Sequence, residues 1–148
     1  MAALRYHWIR LRATCHPTEE LAKVETAMRH AAGVPDLAIN AEAMETHHGG
    51  TIHILEAALD KSRAVRDALG RLLVLPGARD DLTATVEART DDDGVFYVRL
   101  DKQEAFAGRL VLTRGEDAIQ MRLKMEHYPA TREAALASLE ILLATERP

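Results

Sequence analysis

The sequence predicts an α+β fold: a largely antiparallel sheet with helices packed on one face and the other face partly open. Three observations predict it. Stretches in which apolar and polar residues alternate mark strands buried on one side only. Amphipathic helical stretches lie between them. The order mixes helices with hairpins instead of repeating a strict strand–helix–strand unit, so antiparallel neighbours should dominate.

Each element follows from local pattern. Residues 5–15 alternate, with His7, Ile9, Leu11, Ala13 and Cys15 on one side and Tyr6, Trp8, Arg10, Arg12 and Thr14 on the other. Pro17 and Thr18 open a helix whose first turn holds Glu19 and Glu20, where acidic side chains meet the positive end of the helix dipole. Leu21, Val24, Met28 and Ala31 form its apolar stripe, and Gly33-Val34-Pro35-Asp36 ends it. Residues 37–46 read as a strand, although their alanines and glutamates suit a helix as well. Gly49-Gly50 is a turn, and residues 51–58 form the second arm of a hairpin. A helix over 61–73 places Val65, Leu69 and Leu72 on one face, Pro76-Gly77 breaks it, and a third helix over 79–88 carries Leu82 and Val86.

Asp91-Asp92-Asp93-Gly94 turns the chain into a strand over 95–100. Asp101 then stands where an N-cap belongs, with Glu104 three residues on and Gly108 at the position of a C-cap. One or two helical turns lie between these caps, with Lys102 and Gln103 on the exposed first turn, where backbone N–H groups favour an anion. Residues 109–113 and 118–127 form a hairpin across Arg114-Gly115-Glu116. Its second strand turns Ile119, Met121, Leu123 and Met125 inward and Gln120, Arg122, Lys124 and Glu126 outward. Tyr128-Pro129 closes that strand, and Thr131 caps a final helix over 132–145.

The chain has 148 residues, enough for one domain with a sizeable core, and no internal repeat or linker divides residues 1–148. Aromatics are only 4%, so aliphatic residues and methionine must fill that core. A net charge of −4 argues against a uniformly basic nucleic-acid binder; any such site must be a local cationic patch. The single cysteine, Cys15, excludes an intramolecular disulfide and a cysteine zinc cage. No apolar run approaches the ~20 residues that span a bilayer. Met1-Ala2-Ala3-Leu4-Arg5 lacks the apolar core of a signal peptide. A cytoplasmic protein with no membrane partner is expected.

Arg99-Leu100-Asp101-Lys102-Gln103, with Ala105 and Gly108 after it and Asp93-Gly94 before it, resembles the archaeal RNA-binding proteins described as exosome subunits. The likeness covers nearly the whole chain. It includes Thr14-Cys15-His16 with Pro17-Thr18-Glu19-Glu20, His48-Gly49-Gly50-Thr51-Ile52-His53-Ile54-Leu55-Glu56, Ile119-Gln120-Met121-Arg122-Leu123-Lys124, and Tyr128-Pro129. The family pattern after His-Gly is Asn-Pro-Ile, and this chain departs from it with Gly50-Thr51-Ile52. The resemblance implies a fold similar to the ribosomal protein that carries the small rRNA of the large subunit. It also implies RNA binding, a role in RNA processing beside the exosome, and, by the fold analogy, association with the ribosome.

The outward strand positions assemble the candidate site: Trp8, Arg10 and Arg12 on the first strand, Tyr97 and Arg99 in the middle, Arg122 and Lys124 on the last, with His53 from the hairpin and Lys102 and Gln103 from the capped turn. Cations and flat rings on one surface suit single-stranded or looped RNA, with phosphates on the cations and bases on the rings. The same residues have blander readings. Arginine and lysine keep half-exposed strands soluble, and tryptophan, tyrosine and arginine are enriched at protein interfaces. The alternative function is therefore a protein-interaction module or homodimer that uses the open sheet face or an edge strand.

No catalytic constellation and no cofactor site is legible. His47, His48 and His53 lie close in sequence, but successive strand residues point apart and no carboxylate or cysteine completes a metal set. Asp91-Asp92-Asp93-Gly94 lacks the spacing of a calcium loop. Cys15 and His16 are adjacent strand residues and cannot form a nucleophile–base pair. A non-catalytic protein is expected.

Overall fold

The computed structural model describes residues 4–144. Five strands form one antiparallel sheet in the order β2-β3-β1-β5-β4: β1 Arg5–Cys15, β2 Asn40–Glu45, β3 Thr51–Leu59, β4 Phe96–Asp101 and β5 Ala118–Glu126. Six helices accompany them: α1 Leu21–Ala32, α2 Ser62–Leu73, α3 Ala78–Ala84, α4 Val86–Arg89, α5 Lys102–Phe106 and α6 Arg132–Ala144. The α+β expectation holds. The chain divides into two compact units. One comprises Arg10–Ala58 with Arg99–Met121; the other comprises the residues before Arg10, Leu59–Val98 and those from Arg122 onward.

In the first unit, Leu11, Ala13 and Cys15 of β1, Leu100 of β4 and Ile119 and Met121 of β5 are buried, as the alternation requires. Helix α1 packs its buried Val24, Ala27, Met28 and Ala31 and lies against α5. His30 Nδ1 sits 2.8 Å from the carbonyl of Ala105 and fastens the two helices. Gly33 ends α1 in the left-handed conformation, with φ 73°. The β2–β3 hairpin pairs Asn40 with Glu56 and Glu45 with Thr51, and every residue of β2 is exposed. The strand reading of 37–46 is correct for its central part. The helix expected from Pro17 begins four residues later, at Leu21, because residues 17–19 form a turn.

In the second unit, Ile9, Phe96, Val98, Leu123 and Met125 of the strands are buried, along with Val65, Leu69 and Leu72 of α2 and Ala135, Leu139 and Leu142 of α6. Two arginines tie helix ends. Arg79 donates to the carbonyls of Leu142 (3.2 Å) and Leu143 (2.7 Å), and Arg132 donates to those of Glu87 (2.9 Å) and Thr90 (3.3 Å). Each guanidinium thereby satisfies orphan carbonyls at a negative helix end. The single helix expected over 79–88 is instead α3 and α4. Thr85, with φ −117° and ψ 13°, interrupts it, and its hydroxyl bonds back to the Asp81 carbonyl at 2.8 Å. The end of α6 expected at Thr145 lies outside the described residues.

A further correction concerns residues 109–113. They do not form a hairpin with β5. Leu112 makes an isolated antiparallel bridge to Leu100, and β4 is followed backwards by hydrogen bonds from Asp101 N to Val111 O (2.8 Å) and from Thr113 N to Arg99 O (3.0 Å). The helix α5 between them is a one-turn excursion from this pairing.

Within the Asp91–Gly94 turn, the Asp91 side chain organises the backbone. Its Oδ1 accepts the N–H groups of Asp93 and Val95, both at 2.9 Å. Gly94 has φ 81°, and a Cβ there would lie 2.6 Å from the Cβ of Ala135 on α6. Gly94→Ala therefore combines left-handed strain with overpacking and should cost about 2–4 kcal/mol. Urea unfolding measures it; a change below about 0.5 kcal/mol would mean that the turn does not pack on α6.

Candidate nucleic-acid interface

Strand periodicity places the candidate cations. In the first unit, Arg10 and Arg12 leave β1 on the side opposite buried Leu11 and Ala13, and Arg99 leaves β4 opposite buried Val98 and Leu100; all three are exposed. Gln120 of β5, half-buried, occupies the outward position of the strand between them. Gln103 is exposed on α5. This unit therefore presents guanidinium groups outward from β1 and β4.

Two residues of the expected set behave otherwise. His53 has the same strand parity as buried Leu55, so it is half-buried on the core side of β3, not on the outward side with Ile54 and Glu56. Lys102 is 3% exposed, not surface-lying. Its ammonium donates to Thr14 O at 2.8 Å, Glu19 Oε1 at 2.8 Å and Asp117 Oδ1 at 2.6 Å. All three protons have acceptors, so the group is saturated and cannot serve a phosphate. Its role is to lock the end of β1, the turn before α1, the start of α5 and the turn before β5.

The same lock explains the neighbouring acids. His16 Nε2 lies 3.2 Å from Asp117 Oδ1, and His16 N donates to Glu19 Oε1 at 3.0 Å. Burial would raise the Asp117 carboxyl, but the Lys102 hydrogen bond and charge, with His16 beside them, outweigh it and hold Asp117 below the ordinary carboxylate value. His16, Glu19 and Asp117 are close enough to converge on one cation, and the Lys102 ammonium already contacts both carboxylates. Burial, reinforced by Glu19 and opposed by Lys102, pushes the Cys15 thiol up, which keeps it protonated. Asp101 is the helix cap, its Oδ1 accepting Glu104 N at 2.9 Å.

In the second unit, Trp8, Tyr97, Arg122 and Lys124 are half-buried at outward strand positions. The Trp8 ring is tilted 51° to the His7 ring at 6.3 Å. The Tyr97 hydroxyl donates to Asp91 Oδ2 at 3.1 Å. Burial and this bond raise its pKa, against the opposing effect of Arg122. Arg122 Nε is buried without a hydrogen-bond partner. Lys124 donates to the carbonyl of Asp93. Tyr97 and Lys124 thus hold the Asp91–Gly94 turn. Sequence reasoning did not single out Tyr128 as a site, yet its side chain is the most exposed large apolar group here; only its place after a strand, before proline, hinted at it.

A five-stranded α+β sheet with helices and outward arginines defines the class: a sheet protein able to present cations to a polyanion. Comparison supplies the family. Residues 8–125 match the model described as RNA binding, and the chain belongs to that family. It is 32% identical to RNA-binding protein PAB1135 of Pyrococcus abyssi (strain GE5 / Orsay), over 97% of each chain. Its structure is similar to Mth689, a DUF54 protein from Methanothermobacter thermautotrophicus. The TM-score is 0.79 at 33% identity, covering 94% of this chain and 98% of that one. It is also similar to protein AF2318 from Archaeglobus fulgidus, with a TM-score of 0.82 at 30% identity over 93% and 99% of the two chains.

Lys102→Met leaves Glu19 and Asp117 facing each other with no cation between them. Breaking a fully buried ion pair costs about 3–5 kcal/mol, and solvent reaches Asp117, so a loss of about 2–3 kcal/mol is expected in chemical denaturation. A neutral result would mean that the ammonium does not lock these elements.

Proposed function

We propose that this chain is a non-catalytic protein that binds single-stranded or looped RNA, with residues 1–148 acting as one RNA-binding domain. The observation that carries this reading is the exposed arginine set on the outward side of β1 and β4, Arg10, Arg12 and Arg99, in a chain of net charge −4. An acidic body with guanidinium groups gathered at outward strand positions favours a defined polyanion contact over diffuse attraction. Membership of the RNA-binding family and the naming of the Pyrococcus relative support it. A cytoplasmic role in archaeal RNA processing, with the exosome as partner machinery, is the finer form of the proposal. It rests on the sequence resemblance, as does the likeness of the fold to the ribosomal protein that carries the small rRNA. No described helix is long and apolar enough to cross a membrane.

The test is a salt titration of single-stranded RNA affinity by fluorescence anisotropy. Each phosphate contact to a single strand contributes about −0.7 to the slope of log affinity against log salt, so Arg12→Ala with Arg99→Ala should reduce the slope by about 1.4 and weaken binding roughly tenfold or more. Unchanged affinity and slope would remove these arginines from the interface.

A second reading has its own observation. β2 is an edge of the sheet and is exposed along its whole length, with Met44 half-exposed, so its free edge can pair with β2 of a second copy. Sedimentation at increasing concentration then shows a dimer that Ala43→Pro disperses; a monomer at all concentrations contradicts it.

A further inference from the structure

Beyond the strand arginines, one concavity combines a solvent-facing ring with cations. It measures about 460 Å³, within the ~300–1,000 Å³ of ordinary small-molecule sites, and lies wholly within the unit that contains β1's start and β5's end. Arg5 and His7 line it from β1, and Lys124, His127 and Tyr128 from the end of β5. Glu126 is the only acidic group of the lining.

Tyr128 is 97% exposed, so both faces of its ring meet solvent. The backbone beside it is nevertheless pinned. His127 Nδ1 lies 2.9 Å from the carbonyl of Pro129, and the same carbonyl accepts Thr131 N at 2.9 Å. An aromatic ring carried on a fixed backbone with nothing packed on it offers a whole face to a flat ligand, and only its own side-chain torsions have to be ordered when the ligand stacks there. The exposed Arg5 guanidinium and the His7 imidazole lie on the wall of the same concavity, where an anionic group of that ligand would fall.

We infer that this concavity is a nucleotide subsite: a base stacks on Tyr128 and its phosphate is held by Arg5, with His7 beside it. The inference rests on the RNA-binding reading for its biological ligand, but it concerns residues apart from Arg12 and Arg99. Aromatic stacking is worth about 1–3 kcal/mol per base, which corresponds to roughly 5- to 150-fold in affinity. The Tyr128 hydroxyl is not needed for stacking, so phenylalanine preserves it.

Two measurements test it. Adenosine monophosphate is titrated into protein with labelled tyrosine rings, of which the chain has three, and Tyr128→Phe assigns the Tyr128 signals. The Tyr128 ring resonances should shift upfield while those of Tyr6 and Tyr97 hold, and Arg5→Ala should weaken the response. In parallel, Tyr128→Ala should lower single-stranded RNA affinity at least fivefold and Tyr128→Phe should retain it. An unmoved Tyr128 ring overturns the subsite whether or not RNA binds elsewhere. So does RNA affinity that Tyr128→Ala leaves within twofold while Arg12→Ala with Arg99→Ala weakens it. A shifted ring in a protein that binds no RNA upholds the nucleotide subsite and removes the RNA reading instead.

Discussion

The period-two alternation of a strand forces β1 to choose a side for every residue. Burying Leu11, Ala13 and Cys15 commits Arg10 and Arg12 to the opposite side, and burying Val98 and Leu100 commits Arg99 likewise. A slip of one residue in either strand would bury the guanidinium groups and expose the core. The cost of burying unpaired charge therefore enforces the register that presents the cations. The surface on which the functional reading rests is a consequence of the core, not an addition to it.

A second constraint fixes what surrounds that surface. A saturated ammonium at Lys102 joins backbone and carboxylate groups from segments as distant in sequence as Thr14, Glu19 and Asp117. A buried cation requires partners wherever it sits, so each of those segments is held in one position. Lys102 and Arg99 are three residues apart and have opposite tasks: one is consumed by structure, the other is left to solvent. Residue type alone could not separate them.

This separation marks how much was legible. The alternating strands, the Asp101 cap, the Gly33 end of α1 and the turn at Asp91 were all readable, because each depends on neighbours in sequence; the C-cap of the short helix α5 is Ala107, one residue before the expected Gly108. The break at Thr85, the pairing of residues 109–113 with β4, the side taken by His53 and the burial of Lys102 were not. Each is decided by a partner remote in the chain or by competition between a side chain and the backbone. In the candidate site, Arg10, Arg12 and Arg99 stand where the alternation put them. Tyr97 and Lys124 also serve the turn beside them, a use that only the fold reveals. Tyr128 was read as the close of a strand and not as a site residue, because exposure of a ring is a property of the fold and carries no local signal.

The most direct test of the central claim is a map of ultraviolet crosslinks from a bound single-stranded RNA onto the intact chain, read by mass spectrometry of its peptides. Crosslinks concentrated in the peptides that carry Arg10 and Arg12 of β1 and Arg99 of β4 are the result predicted here. Crosslinks confined to α2, α6 or the β2 edge, with none on those two strands, would contradict it.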